Sequence, residues 1–250
     1  KHIVDIMEIL KSKIGGVENK EITIEVNPGT ANKQKLENYK KSGINRLSIG
    51  LQTTNDTLLK QIGRIHTYQN FLETYNFAKA IGFDNINVDL MLGLPNQTIK
   101  DLKNSLEDIK KLDVSHISVY SLIVEEGTSI EKMIEEGKMK LPSEELERQM
   151  YWYVKDFLEI NGYKHYEISN FSKKNHQSKH NMNCWEQKEY VGFGVSAHSY
   201  LDSVRSSNTV ELEMYIKNYK DGKFKKNIEE IQNLDMKQKE YMMLGLRKID

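Results

Sequence analysis

Three polar side chains, Glu25, Gln52 and Asp89, stand at or near the ends of apolar segments in the sequence. Asp89 lies within INVDLML, which has the branched, apolar composition of a buried parallel strand. A carboxylate in such a strand is costly unless a partner compensates its burial. Carboxylates accept hydrogen bonds from ammonium and hydroxyl groups, and an amide both donates and accepts. These side chains could therefore bind a small, charged ligand.

Alternation along the predicted strands separates an apolar face from a polar one, because neighbouring strand residues point to opposite faces. The aliphatic set is Ile22, Ile24, Val26, Leu47, Ile49, Leu51, Ile86, Val88, Leu90, Ile117 and Val119. The polar or small set is Thr23, Glu25, Ser48, Gly50, Gln52, Asn87, Asp89, Met91, Ser118 and Tyr120. Closed eight-stranded barrels fill their interior with branched aliphatic residues. The polar face instead predicts a wide or incompletely closed barrel around a polar ligand.

The order of elements predicts how these side chains come together. Strands are predicted at residues 22–26, 46–52, 86–92 and 116–123, and a helical pattern follows each one. Repeated strand–helix units predict right-handed crossovers and a parallel sheet, either open or rolled into a barrel. Glu25, Gln52 and Asp89 then lie toward the carboxyl ends of their strands, where α/β barrels bind ligands. Alternatively, the polar face is merely solvated at the rim, or Asp89 caps the following loop.

The pattern changes in the second half of the chain. A long helix is predicted at 143–161, strands at 164–169 and 190–201, and further helices at 210–219 and 236–248. A helix over 3–14 opens the chain, which implies at least one strand upstream of it. We therefore expect the sequence to be an internal piece of a longer polypeptide.

Composition excludes several classes of function. The chain has 36 basic and 36 acidic residues, so no net field attracts it to nucleic acid or to an anionic membrane. It has no apolar run of about 20 residues, and we expect no integral membrane protein. The single cysteine, Cys184, excludes an intrachain disulfide and predicts a cytoplasmic location.

Seven segments, in this order and spacing, resemble the radical S-adenosylmethionine coproporphyrinogen oxidase-like family. They are EVNPGT (25–30), RLSIGLQ (46–52), GR (63–64), NVDLMLGLPNQ (87–97), HYEISNF (165–171), HNMNCW (180–185) and YVGFGVSAH (190–198). The last two segments resemble the haem chaperone (HemW-type) branch more than the oxygen-independent oxidase. The resemblance runs from about residue 21 to residue 200.

The resemblance implies an α/β fold, a partial (β/α) barrel of radical S-adenosylmethionine type with a C-terminal α+β extension. Residues 1–140 then form the central part of the barrel without its first strand or strands. Residues 141–250 form the last barrel element and the HemW-type C-terminal region, truncated at its end.

The resemblance also implies binding residues. Glu25, Gln52, Arg64 and Asp89 match positions that bind S-adenosylmethionine, and the Arg64 guanidinium can fork onto a carboxylate. Without the resemblance, Arg64 would be interpreted as a solvated loop cation. His180 and Trp185 match positions that the resemblance associates with haem. Histidine can ligate haem iron, as can a cysteine thiolate, whereas the alternative is that His180 only orders its loop.

One departure from the family concerns the [4Fe–4S] cluster. The family holds it with a C-x3-C-x2-C loop after the first strand, whereas this chain has only Cys184, where the family usually has tyrosine. The resemblance therefore implies cluster ligands outside this chain. We expect the chain alone to hold no cluster through family ligands and to cleave no S-adenosylmethionine, and we assign it no catalytic or metal-ligating residue.

The histidine-containing segment allows a second interpretation. His176, His180 and Cys184 are four residues apart, and a helix would align these three possible zinc ligands. A fourth ligand is not evident, and haem is the favoured ligand of this segment.

Four functions remain open from the sequence. The leading hypothesis is a haem chaperone that binds haem, S-adenosylmethionine and, in the full-length protein, a [4Fe–4S] cluster, and transfers haem to an acceptor protein. The main alternative is oxygen-independent coproporphyrinogen III oxidase, which acts through a 5′-deoxyadenosyl radical. A cluster-free barrel lyase or aldolase using Glu25 and Asp89 as acid and base is a third, and a zinc-dependent regulatory domain a fourth.

Overall fold

The computed structural model describes residues 2–15, 19–223 and 225–249. The chain forms two compact units, of which the first ends at Gln177 and the second begins at Ser178. The first unit is an α/β structure built on one sheet, and the second is an α+β structure built on a smaller sheet.

The first unit contains all of the parallel strands. Its helices are α1 (His2–Ile14), α2 (Lys33–Lys41), α3 (Asp56–Gln61), α4 (Tyr68–Ile81), α5 (Ile99–Leu112), α6 (Ser129–Glu135) and α7 (Glu144–Ile160). Its strands are β1 (Thr23–Val26), β2 (Arg46–Gln52), β3 (Asn85–Leu92), β4 (His116–Ser121), β5 (Lys164–Glu167) and β6 (Asn170–Ser172). The predicted succession of strands and helices is confirmed, with ends that differ by one or two residues at most positions.

The six strands form a sheet in the order β1-β2-β3-β4-β6-β5. Strands β1 to β4 pair in parallel with their neighbours, as predicted. In the described part of the chain, β1 and β5 are the edges, so the sheet is an open one. The register aligns Glu25 with Ser48 and Asp89 with both Gly50 and Ser118.

The aliphatic face of the strands forms the core with the helices, which confirms the assignment of faces. Leu47, Ile49, Val88 and Leu90 are at most 1% exposed. Helices α4, α5 and α7 add Phe71, Ala78, Leu102, Leu106, Ile109, Met150, Val154 and Leu158 to the same cluster. The polar face of the sheet is thereby left away from the helical layer.

Local signals fix where the helix after β3 begins. The Thr98 hydroxyl accepts a hydrogen bond from the Asp101 backbone N–H, while the Asp101 carboxylate accepts one from the Thr98 backbone N–H. This reciprocal capping box satisfies donors that the first helical turn leaves without an intrahelical partner. The GLPNQ loop between β3 and α5 is tied down by Gln97, which donates to the Met91 carbonyl and accepts from the Leu94 N–H.

The predicted strand over 164–169 is confirmed as β5, which ends at Glu167 and opens an antiparallel hairpin that the sequence did not predict. Strand β5 pairs with β6, and β6 pairs antiparallel with β4. Only Ile168 and Ser169 separate β5 from β6, whereas a parallel neighbour needs a crossover of about a dozen residues. The Glu167 carboxylate accepts from the Ser169 N–H and stabilises the tight connection.

The second unit contains α8 (Lys179–Trp185), β7 (His198–Leu201), β8 (Val204–Ser207), α9 (Leu212–Lys220), β9 (Asn227–Ile231) and α10 (Leu234–Gly245). Strands β7, β8 and β9 form an antiparallel sheet in that order. The predicted α+β character of this region is confirmed, although the sequence did not predict β8, β9 or α8.

The predicted strand over 190–201 is wrong in its first part. Only His198–Leu201 is a strand, and Tyr190 folds back to form an isolated bridge with Tyr200. Gly192 allows this return, because a side chain there would collide with the His198 carbonyl oxygen. The segment is therefore a tight loop rather than a continuous strand.

In the part of the chain that the structure describes, no helix has the length and apolar character needed to cross a bilayer.

Candidate functional site

Asp89 lies on the polar face of the sheet, near the carboxyl end of β3, and is half-buried. Asn87 Nδ2 donates to its Oδ1 at 2.6 Å, and Ser48 Oγ donates to its Oδ2 at 3.4 Å. Burial raises the pKa of Asp89, and the nearby Glu25 carboxylate raises it further, while these hydrogen bonds oppose the rise. The carboxylate is thus positioned by its neighbours but lacks a compensating cation among them.

Glu25 provides a second carboxylate on the same face. It lies on the edge strand β1, is exposed, and pairs in register with Ser48, whose hydroxyl contacts Asp89. Burial is the main cause of the raised pKa of Asp89, and the Glu25 charge contributes in the same direction. Two carboxylates that repel one another create a negative potential, which a ligand ammonium or other cation would relieve. The structure therefore brings Glu25 and Asp89 together.

Gln52 reaches this face through an irregular backbone. A β-bulge separates Gly50, which pairs with Asp89, from Gln52, which pairs with Leu90. Gln52 has a φ of 72°, in the left-handed region that is costly for a residue with a side chain, and it is 7% exposed. Its Nε2 lies only 2.9 Å from where a Cβ on Gly50 would be. Gln52 therefore covers Gly50 on the polar face, and strained backbone of this kind is common at ligand sites.

The conformation of Gln52 leads to a prediction about stability. We expect the Gln52→Gly protein to be more stable than the Gln52→Ala protein by about 1 kcal/mol, because glycine adopts positive φ without steric cost. Both variants lose the same amide, so the comparison isolates the backbone. Urea unfolding followed by circular dichroism measures the difference. Equal stability of the two variants would show that the left-handed backbone carries no strain.

Arg64 is placed by the end of helix α3. Gly63, with a φ of 73°, donates its N–H to the Lys60 carbonyl, and the Arg64 N–H donates to the Leu59 carbonyl. This is a Schellman arrangement, which reverses the chain after the helix. Arg64 Nη1 then donates to Asn27 Oδ1 at 3.2 Å.

Asn27 connects Arg64 to the rest of the site. Its Oδ1 lies 3.8 Å from the position that a Gly50 Cβ would take, next to the amide of Gln52. The structure thus brings Glu25, Gln52, Arg64 and Asp89 to one polar face, the first three at or near the carboxyl ends of β1 and β2. Asn27 was not predicted as a site residue, although it stands directly after β1 in the EVNPGT segment.

His66 contacts the backbone of the bulge. Its side chain is buried, with 5% exposed. Its Nε2 lies 3.3 Å from the Leu51 carbonyl oxygen, which can only accept, so Nε2 carries the proton. Burial lowers the pKa of His66, and the Arg64 cation acts in the same direction. A neutral His66 therefore holds the bulge residue that precedes Gln52.

His180 and Trp185 lie on α8 in the second unit. His180 is exposed, and its Nε2 is 3.9 Å from Cys184 Sγ, one helical turn later. The Trp185 ring is half-buried and packs against the guanidinium of Arg247, which lies 4.3 Å from the ring centroid. His180 is thus accessible to a ligand, whereas one face of Trp185 is already covered.

The alignment of His176 with His180 and Cys184 on one helix is wrong. Helix α8 begins at Lys179, so His176 lies outside it. Within residues 2–15, 19–223 and 225–249, no group of three or more histidine, cysteine, aspartate or glutamate side chains is placed to hold a metal ion. The zinc interpretation therefore loses its geometric basis in the described residues.

Comparison with known proteins finds a matching family model and several similar proteins. Residues 1–109 match the family model of the Radical SAM superfamily. The heme chaperone HemW of Bacillus subtilis is 40% identical over 228 residues, which are 91% of this chain and 60% of that protein. The mitochondrial radical S-adenosyl methionine domain-containing protein 1 of Danio rerio is 38% identical over 178 residues, 71% of this chain and 40% of that protein. The chain spans about 60% of the length of the bacterial relative.

A solved structure agrees with the architecture. Coproporphyrinogen III oxidase (HemN) from Escherichia coli matches with a TM-score of 0.83, covering 98% of this chain and 59% of that one, at 23% sequence identity. A likeness at this identity concerns the fold alone. It confirms the prediction of an α/β fold of radical S-adenosylmethionine type.

Proposed function

Because the chain belongs to the HemN/HemW-like radical SAM family, we propose that it is the S-adenosylmethionine-binding part of a haem chaperone. The observation that carries the proposal is the polar face on which Glu25, Asp89 and Gln52 converge. Relatives named heme chaperone HemW support the chaperone role.

The chemistry of the polar face suits S-adenosylmethionine. The carboxylates of Glu25 and Asp89 can accept hydrogen bonds from an ammonium group or from ribose hydroxyls. The Gln52 amide can donate to and accept from the same ligand, and the Arg64 guanidinium can pair with its carboxylate. Burial raises the pKa of Asp89 in the free protein, and repulsion from Glu25 raises it further. A positively charged ligand would relieve that repulsion.

The [4Fe–4S] cluster that family membership implies does not fit the residues of this chain. Cys184 is the single cysteine of the sequence, and together with the nearby His180 it provides two possible ligands. No group of three ligands exists in the described residues. In this proposal, the cluster is held in the complete gene product by ligands outside this chain.

Haem is the proposed cargo, bound and then delivered to an acceptor protein in the cytoplasm. His180 supports this proposal, because it is exposed on α8 and a histidine can ligate haem iron. Trp185 lies on the same helix and carries an aromatic ring. In this proposal, residues 1–140 supply the central part of the barrel, and residues 141–250 supply its last element and the C-terminal region.

The experiment that tests the chaperone function compares haem retention with enzymatic activity. We expect the complete gene product, reconstituted anaerobically, to keep a Soret band through gel filtration and to leave coproporphyrinogen III unchanged. His180→Ala should weaken the Soret band, while His2→Ala, a surface histidine, should leave it intact. Decarboxylation of coproporphyrinogen III without haem retention would instead support the oxidase alternative.

A further inference from the structure

We propose that His116 is a positioning residue for the S-adenosylmethionine site and acts on Asp89 through Asn87. The inference rests on the function proposed above, because it concerns the same ligand. His116 lies on β4 and is 0% exposed.

A chain of hydrogen bonds connects His116 to Asp89 beneath the polar face. Tyr166 OH lies 2.7 Å from His116 Nε2, and His116 Nδ1 lies 2.6 Å from Asn87 Oδ1. Asn87 Nδ2 then donates to Asp89 Oδ1 at 2.6 Å. The chain crosses from β5 through β4 to β3 and ends at the side chain that is proposed to contact the ligand.

The donors and acceptors along this chain follow from its Asp89 end. The Asp89 carboxylate accepts, so the Asn87 amide must present its NH2 group to it and its oxygen to His116. That oxygen only accepts, so His116 Nδ1 must carry the proton, and Nε2 accepts from the Tyr166 hydroxyl. Burial holds the pKa of His116 well below its ordinary value, and the Arg46 charge acts in the same direction, so the neutral form is retained.

The orientation of Asn87 matters because its amide makes four contacts. Its Oδ1 also accepts from Ser118 Oγ at 3.0 Å, and its Nδ2 also donates to Ser48 Oγ at 2.7 Å. Asn87 is 2% exposed, so water cannot replace a lost partner easily. Without the His116 donor, Asn87 Oδ1 would keep only the Ser118 hydroxyl as a donor, and the amide would no longer be held in line with Asp89. The neutral imidazole therefore fixes the carboxylate by fixing the amide.

The consequence is a preorganised acceptor for the ligand. Asp89 is half-buried beside Glu25, two features that favour its neutral form. The hydrogen bonds from Asn87 and Ser48 favour the ionised form and hold its orientation. A ligand that uses Asp89 then meets a carboxylate that is already oriented, which lowers the cost of binding.

A double-mutant cycle on the complete, reconstituted protein tests the proposal. His116→Phe keeps a ring of similar size and removes both nitrogens, and we expect the dissociation constant for S-adenosylmethionine to rise about three- to tenfold, typical of one lost hydrogen bond. In an Asp89→Ala background the same substitution should leave the dissociation constant unchanged within about twofold. His116→Gln retains a donor and should restore part of the affinity, and His2→Phe serves as the control.

The outcomes separate this inference from the proposed function. An equal loss of affinity in both backgrounds would mean that His116 acts only through general stability, which overturns the inference. No effect of His116→Phe, with a clear effect of Asp89→Ala, would overturn it as well. No effect of Asp89→Ala would instead overturn the proposed site. If His116→Phe does not fold, Tyr166→Phe enters the same cycle, with a rise of about two- to threefold expected only when Asp89 is present.

Discussion

We expect Asp89→Ala to raise the dissociation constant for S-adenosylmethionine by about 10- to 100-fold in the complete, reconstituted protein. A hydrogen bond to a charged group contributes about 1.5–3 kcal/mol when its removal leaves a partner unsatisfied, and 1.4 kcal/mol is tenfold in affinity. The carboxylate is held for this role by Asn87 and Ser48. Equilibrium dialysis with labelled S-adenosylmethionine measures the change.

The matched control is Asp84→Ala, which removes an aspartate just before the same strand. The Asp84 side chain is 87% exposed and forms a surface ion pair with Lys79. We expect the Asp84→Ala protein to bind S-adenosylmethionine with the affinity of the unmodified protein. Equal effects of the Asp84 and Asp89 substitutions would show that the loss reflects net charge rather than a contact at the site.

Replacing Asp89 should weaken ligand binding but increase the stability of the fold. Burial and Glu25 raise the pKa of Asp89, so between its ordinary pKa and the raised one the native state binds more protons than the unfolded state. Stability therefore falls as the pH rises through that window, and at neutral pH the ionised carboxylate destabilises the fold. Asp89→Asn should raise unfolding stability at pH 7 by about 0.5–2 kcal/mol, a gain typical of relieved functional sites.

Thermal unfolding at two pH values checks this sign. The stabilisation by Asp89→Asn should be present at pH 7 and should shrink below the ordinary carboxyl pKa, about 3.9, where Asp89 is protonated anyway. A variant that is less stable than the parent at pH 7 would mean that the neighbouring donors outweigh burial and repulsion. Binding of S-adenosylmethionine should still be weakened in the stabilised variant.

The second large effect is expected from a single added methyl group. Gly50→Ala should weaken S-adenosylmethionine binding about tenfold while changing unfolding stability little. The new Cβ would lie 2.9 Å from Gln52 Nε2, so the amide must move. The amide is the far end of a flexible side chain, so it can move at little cost to the stability of the fold. The ligand then loses an oriented hydrogen-bond donor, which weakens its binding free energy by about 1–1.5 kcal/mol.

Gly245→Ala is the matched control, because no heavy atom lies within 4 Å of a Cβ at that position. It tests the same change of residue on helix α10 of the second unit, and affinity should remain unchanged. In the double variant Gly50→Ala/Gln52→Ala, the two losses of affinity should not add, because both act through the Gln52 amide. Additive losses would mean that the methyl group acts on the ligand directly rather than through Gln52.

The regular part of the site followed from sequence patterns. Alternation along 22–26, 46–52 and 86–92 predicted the face on which Glu25 and Asp89 lie, because a strand's period of two fixes side-chain direction. The start of α5 is equally local, since the hydrogen bonds of its capping box join Thr98 to Asp101, three residues later.

The irregular part could not be predicted in the same way. Alternation places Gln52 on the polar face, but the bulge and the left-handed backbone that deliver it arise from tertiary contacts, including His66 at the Leu51 carbonyl. His116 has the period of the polar face, yet only the fold reveals the partner Tyr166, 50 residues away. The antiparallel return of β6 depends likewise on pairing with β4.

The most direct test of the central claim is a crystal structure of the complete gene product with S-adenosylmethionine bound. We predict that ligand nitrogen or hydroxyl groups lie within hydrogen-bonding distance, about 2.7–3.2 Å, of the Asp89 carboxylate and the Gln52 amide. The His116–Asn87–Asp89 chain should keep its present contacts in that complex. A ligand bound elsewhere, with the polar face of β1 to β4 in contact with solvent alone, would contradict the account.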